Sequence, residues 1–92
     1  MTSVRVKLPP VLRQVVGGTK DLEASGASIA EVIDDLAARF PALGLHLFDE
    51  QGAIRRNIVF LHDGELIRPP EARQRLLAPG DEVTITNALA GG

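Results

Sequence analysis

Ser28-Ile29-Ala30-Glu31-Val32-Ile33-Asp34-Asp35-Leu36-Ala37-Ala38-Arg39-Phe40-Pro41 is the stretch that decides the fold. Ile29, Val32, Ile33, Leu36, Ala37 and Phe40 recur at helical spacing and form one apolar stripe, with Asp34, Asp35 and Arg39 on the opposite face. Ser28 and Glu31 stand in the relation of a capping box, in which the serine hydroxyl accepts from the Glu31 amide and the Glu31 carboxylate returns to the Ser28 amide. Pro41 stops the helix, because the residue before a proline is pushed out of the α region. The expectation is one amphipathic helix over about 28–40, its apolar side in need of a cover.

The flanks supply that cover as strands. Val4-Arg5-Val6-Lys7-Leu8 alternates strictly, which turns Val4, Val6 and Leu8 to a core, and Pro9-Pro10 ends the run. After Gly17-Gly18, Thr19 to Ala24 reads as a second strand with Leu22 and Ala24 on one face, and the two can pair as a hairpin with a long connection. Ala42 to Gln51 shows no dominant period and is expected to be irregular, packed under the helix. Asn57 to His62 is a strand, Asp63-Gly64 a tight turn, and Glu65 to Arg68 a short return strand. Glu71 to Leu77 is expected to make one or two helical turns, Pro79-Gly80 another turn, and Val83 to Thr86 the last strand, with Asn87 onward a tail. Strands gathered on one side of a single helix make an α+β domain over 1–87, followed by a terminal segment over 88–92.

Composition bounds the function. The sequence has 92 residues, too few for two cores, with 45% hydrophobic residues, 24% charged residues and a net charge of −2. That balance argues against a nucleic-acid partner, which calls for a basic excess. The absence of cysteine excludes disulfides, thiolate metal sites and a cysteine nucleophile. No apolar run is long enough to span a membrane, and Met1 to Pro10 does not have the form of a signal peptide. A cytoplasmic protein without a membrane partner is expected.

Little in the sequence has the form of an active site. His46 and His62 are the two histidines, and Asp63 or Asp49 would have to complete a metal site, but no metal-binding spacing surrounds them. Both are therefore read as surface or edge residues, and no metal is assigned. The pairs Asp34-Asp35, Asp49-Glu50 and Asp81-Glu82 are sequence neighbours pointing to different faces, so they read as solvated surface. Arg55-Arg56, Arg68, Arg73 and Arg75 concentrate positive charge in the second half, serving either solubility or an electrostatic patch for a protein partner. In the strand over 57–62, Ile58 and Phe60 share one face and Val59 and Leu61 the other, and both faces are apolar. Either the 42–54 segment covers the second face or a partner does. The sharpest signal is Gly91-Gly92, directly after the last strand: without a Cβ, a diglycine end can thread a narrow slot and bring its carboxylate to a nucleotide phosphate.

These residues resemble a family. Pro79-Gly80-Asp81-Glu82-Val83-Thr84-Ile85, followed by Leu89-Ala90-Gly91-Gly92, is similar to the end of the small ubiquitin-like sulfur carriers of molybdopterin, thiamine and cysteine biosynthesis, the MoaD, ThiS and CysO types. Leu8-Pro9-Pro10-Val11-Leu12-Arg13, Gly17-Gly18 and Ala24-Ser25-Gly26 resemble the cysteine-type carrier most, as does the hairpin over Arg56 to Arg68. Asn87 departs from the family, which often has proline there.

The resemblance implies a β-grasp fold, a mixed sheet packed on one main helix. It implies that an E1-like activating enzyme uses ATP to adenylate the carboxylate of Gly92. The carrier itself would be no enzyme and would hold no cofactor. A thiocarboxylate then forms and passes its sulfur to an acceptor enzyme of the cysteine-synthase type, or to one making another sulfur-containing metabolite such as a thiosugar. Gly91, Ala90 and Leu89 would thread the partner's slot; Val59 and Leu61, sharing the strand face turned away from Ile58 and Phe60, are expected to form the docking surface for the activating enzyme. The alternatives are the small subunit of molybdopterin synthase and a protein modifier conjugated through Gly92.

Overall fold

The computed structural model describes residues 3–19 and 21–87. In chain order these are strand β1 (Ser3–Lys7), a short helix α1 (Pro10–Arg13) running into a 3-10 turn (Gln14–Val16), β2 (Asp21–Ser25), α2 (Ile29–Arg39), α3 (Pro41–Leu47), β3 (Ile58–His62), β4 (Glu65–Ile67), a 3-10 turn (Pro69–Glu71) and β5 (Glu82–Asn87). The strands form one mixed sheet in the order β2-β1-β5-β3-β4. β1 and β5 lie parallel at its centre, and every other neighbouring pair is antiparallel. This is the β-grasp arrangement.

The alternation read from the sequence sets the sheet's inner face. Val4 and Val6 of β1, Ala24 of β2, Ile58 and Phe60 of β3, Ile67 of β4, and Val83 and Ile85 of β5 are all buried in one core with Ile29, Val32, Ile33 and Leu36 of α2. Each of the valine, leucine, isoleucine and phenylalanine side chains contributes about 1.5–3 kcal/mol on burial. Ala37 and Phe40, at the end of the expected stripe, are half-buried.

α2 begins as expected and caps itself in a slightly different way. The Glu31 amide donates to the Ser28 hydroxyl at 3.3 Å, but the Glu31 carboxylate accepts from the Ala27 amide rather than from Ser28. Two more of the first-turn donors are satisfied from outside the helix: the Ile29 and Ala30 amides donate to the carbonyls of Arg75 and Ala72. The 72–77 segment is thereby stitched to the start of α2. Gly26, just before that start, is demanded by space. A Cβ there would come within 2.7 Å of the Val32 backbone nitrogen.

Four expectations change. The 42–51 segment is not irregular throughout, because Pro41 ends α2 and also opens α3 as its first residue. Leu43 and Leu47 bury one helical turn apart, whereas Leu45 between them faces outward and obscures the period. The long connection between β1 and β2, given no structure from the sequence, is helical from Pro10, with Leu12 and Val16 buried. The helical turns expected over 71–77 shrink to a 3-10 turn that starts earlier, at Pro69. Asn87 is not tail: it pairs with Ile58 as the last residue of β5. The Asp63-Gly64 turn is as expected, with both residues at positive φ, 54° and 83°.

Candidate functional site

β3, β4 and β5 also build the sheet's outer face, and register decides what it presents. Leu66 of β4 lies opposite Leu61 of β3, Leu61 opposite Thr84 of β5, and Thr84 opposite Lys7 of β1. The row therefore runs from apolar at β4 to charged at the β2 edge, where Lys7 lies opposite Asp21. Leu61 and Leu66 are exposed at 37% and 47%, a small apolar patch at the β3–β4 side. Arg5 and Lys7 flank Glu82 at 4.0 and 3.6 Å on the other side. These exposed ion pairs contribute little to stability, and with Glu23 and Asp21 of β2 opposite Arg5 and Lys7 that side is of mixed charge.

Val59 and Leu61 do share this outer face, as the alternation required. Their exposure is unequal. Val59, opposite Thr86, is only 3% exposed and belongs to neither the core cluster nor the accessible patch. Leu66, which sequence reasoning passed over, takes the exposed place beside Leu61. The signal for Leu66 was present: a two-residue turn at Asp63-Gly64 sets Leu66 directly across from Leu61. The 42–54 segment does not cover this face, since Leu43 and Leu47 pack into the core on the α2 side.

A second constellation stands at the start of β5. His62 is not a surface residue, as its sequence context suggested; it is 4% exposed and both ring nitrogens are engaged. Arg75 Nε donates to His62 Nδ1 at 2.8 Å, so the ring proton sits on Nε2, which donates to Asp81 Oδ2 at 2.7 Å. Asp81 Oδ2 also accepts from the Ala78 amide at 2.9 Å, and Arg75 pairs with Glu65 at 3.1 Å. The Ala78 amide first, and the hydrogen bond from His62 second, hold the Asp81 carboxyl below the usual carboxylate range.

His62, Asp63 and Asp81 place their ligand atoms within 4.8 Å of one another. The hydrogen-bond pattern opposes a metal there. Ligation at Nε2 would move the ring proton to Nδ1, where the Arg75 N–H already points. Asp49, the other ligand weighed from the sequence, is committed elsewhere: its Oδ1 accepts from the Gln51 and Ala53 amides. His46 is exposed in the last turn of α3. The acidic neighbours are thus not merely solvated, since Asp35 likewise accepts from the Ser25 amide and pairs with Arg39 at 3.0 Å.

The remaining candidates, Leu89, Ala90, Gly91 and Gly92, lie outside the described residues, as does the division into 1–87 and 88–92 at its second part. β5 brings the chain to them from the middle of the sheet, with Asn87 paired to Ile58.

Known proteins resemble the chain along its whole length. The ThiS family model matches residues 6–92. The sulfur carrier protein CysO of Mycobacterium tuberculosis is 35% identical over 98% of this chain and 99% of its own. CysO in the solved BexX/CysO complex of Amycolatopsis orientalis is 33% identical with a TM-score of 0.76, covering 97% of this chain and 99% of that one. The small archaeal modifier protein 1 of Methanosarcina acetivorans is 34% identical with a TM-score of 0.81, covering 100% and 98%. A five-stranded β-grasp sheet, a diglycine at residues 91–92 and a family match running to residue 92 agree, and the chain belongs to the ThiS family of ubiquitin-like sulfur carriers.

Proposed function

We propose that the carboxylate of Gly92 is the working group of this carrier. An E1-like partner adenylates it with ATP, expelling pyrophosphate, and sulfide then attacks the acyl carbon and displaces AMP, giving a thiocarboxylate with loss of a proton. A carboxylate is a poor electrophile and an acyl adenylate a good one, which is why ATP must be spent first. The terminal sulfur is then a soft nucleophile for an acceptor enzyme, of the cysteine-synthase type or one making another sulfur metabolite such as a thiosugar. The observation that carries this reading is the 35% identity to a sulfur carrier across 98% of the chain, together with a ThiS family match that runs through Gly91-Gly92. In this reading the protein is a co-substrate of its partners, holds no cofactor, and works in the cytoplasm, where ATP is supplied. Among the described residues, no helix is long and apolar enough to cross a membrane.

Leu61 and Leu66, with the buried Val59 on the same face of β3, form the docking surface for the activating enzyme in the same reading. Leu89, Ala90 and Gly91 thread the slot. Fixing five tail residues costs about 5–10 kcal/mol of backbone entropy, more than burying Leu89 returns at about 1.5–3 kcal/mol. Most of the binding energy must therefore come from the folded surface.

The test is intact mass after incubation with an activating enzyme of this family, ATP and sulfide. One sulfur gained in place of one oxygen, lost when Gly92 is deleted, is the expected result. Sulfur acquisition by the Gly92 deletion sinks the reading. A second reading, a protein modifier joined through Gly92 to lysines, is favoured by the 34% identity to an archaeal modifier. Ladders of conjugates in the same incubation with cell extract would support it.

A further inference from the structure

The arginines fall into two groups. Arg13 and Arg55 each donate to a backbone carbonyl, Arg39 and Arg75 each hold hydrogen bonds and an ion pair, and Arg5 stands beside Glu82. The other three, Arg56, Arg68 and Arg73, make no hydrogen bond or ion pair among the described residues, and all three line one groove. Its volume is about 780 Å3, and it lies between the first turns of α2, the loop over 49–56 and the 3-10 turn after β4.

The groove is built rather than incidental. Half-buried Phe48 and Ile54 face each other across an isolated bridge, and Asp49 ties the intervening loop through its hydrogen bonds to the Gln51 and Ala53 amides. On the opposite wall, the Ala72 carbonyl accepts from Ala30 at the start of α2, which holds Ala72 and Arg73 in place. Such pre-ordering lowers the cost of binding. Two carboxylates, Asp34 and Asp49, also line the groove, and the second is turned into its own loop. A local cationic excess thus stands on a chain whose net charge is −2.

We propose that this groove binds an acidic, extended segment of a partner protein, its carboxylates on Arg56, Arg68 and Arg73 and an aliphatic side chain against Phe48 and Ile54. Three planar guanidiniums match carboxylates in paired N–H···O geometry. The apolar wall favours a peptide over a small phosphate, which would leave that wall and most of the volume unused. The groove shares no residue with the Leu61–Leu66 patch. A partner can therefore hold it while the sheet's outer face is engaged, and the proposal stands apart from the chemistry at Gly92.

The experiment titrates the 15N-labelled chain with a synthetic peptide alternating glutamate and leucine, in parallel with its glutamine-for-glutamate counterpart and with inorganic pyrophosphate. Expected are amide shifts at Phe48, Ile54, Arg56, Ala72 and Arg73, weakened by salt. Affinity should fall at least about tenfold for the glutamine peptide and for the triple variant Arg56→Gln, Arg68→Gln, Arg73→Gln. These side chains are exposed and outside the core, so the variant's β1 and β5 amides should keep their positions. Undiminished binding by the triple variant, shifts centred on Leu61 and Leu66, or pyrophosphate binding as tightly as the acidic peptide would each overturn the proposal.

Discussion

The two faces of β3 carry equally apolar residues and do different work. Ile58 and Phe60 turn inward and are roofed by α2, whereas Val59 and Leu61 turn outward, and Leu61 with Leu66 remains exposed. Composition does not distinguish the faces; the position of the helix does. Burial on the inner side is a matter of stability, because no water reaches it and every lost methylene leaves a void. On the outer side, only Leu61, with Leu66 beside it, stays accessible for contact with another molecule.

That contrast can be broken most directly from the inside. Phe60→Ala should destabilise by about 3–5 kcal/mol and Leu36→Ala, on the helix that covers it, by about 2–5 kcal/mol. Against a total of about 5–15 kcal/mol, either is visible in a denaturant titration. A neutral Leu36→Ala would mean that α2 faces the other way. Ser28→Ala tests the same roof at its edge and should cost about 1 kcal/mol, the loss of one cap.

From the outside, Leu61→Glu should change stability by less than about 0.5 kcal/mol, as surface substitutions do. It should nonetheless weaken the complex with an activating enzyme, measured by calorimetry alongside the melting temperature. A Leu61→Glu variant that unfolds would show the two faces reversed. Val59→Glu sharpens the comparison, because its buried position makes it behave like an inner residue despite its outer register.

The smallest effect at neutral pH belongs to the margin where the inner face turns polar. Asp81 has its folded pKa lowered, so its contribution is fully present above the ordinary carboxylate value of about 4 and is lost as pH falls below that toward the lower folded value. Asp81→Asn should flatten this acid limb of the stability curve, read from melting temperatures across the acid range. An unchanged acid limb would mean that the bonds from the Ala78 amide and from His62 contribute nothing on balance.

The 29–39 helix, its serine cap, the strand alternation and the Asp63-Gly64 turn were legible in the sequence, because each is set by spacings within a few residues. α3 was not legible: its period rests on Leu43 and Leu47 alone, and Leu45 disguises it. His62 was misread for a related reason. Its partners Arg75 and Asp81 lie 13 and 19 residues away, and nothing local announces them.

The sequence by itself determined which residues are apolar on each strand and that the last two are glycines, since side-chain alternation and residue identity need no third dimension. Only the tertiary structure decided that Leu66 rather than Val59 accompanies Leu61 at the surface. Only it brought Arg56, Arg68 and Arg73 to one groove, because accessibility and convergence depend on which elements pack against which face.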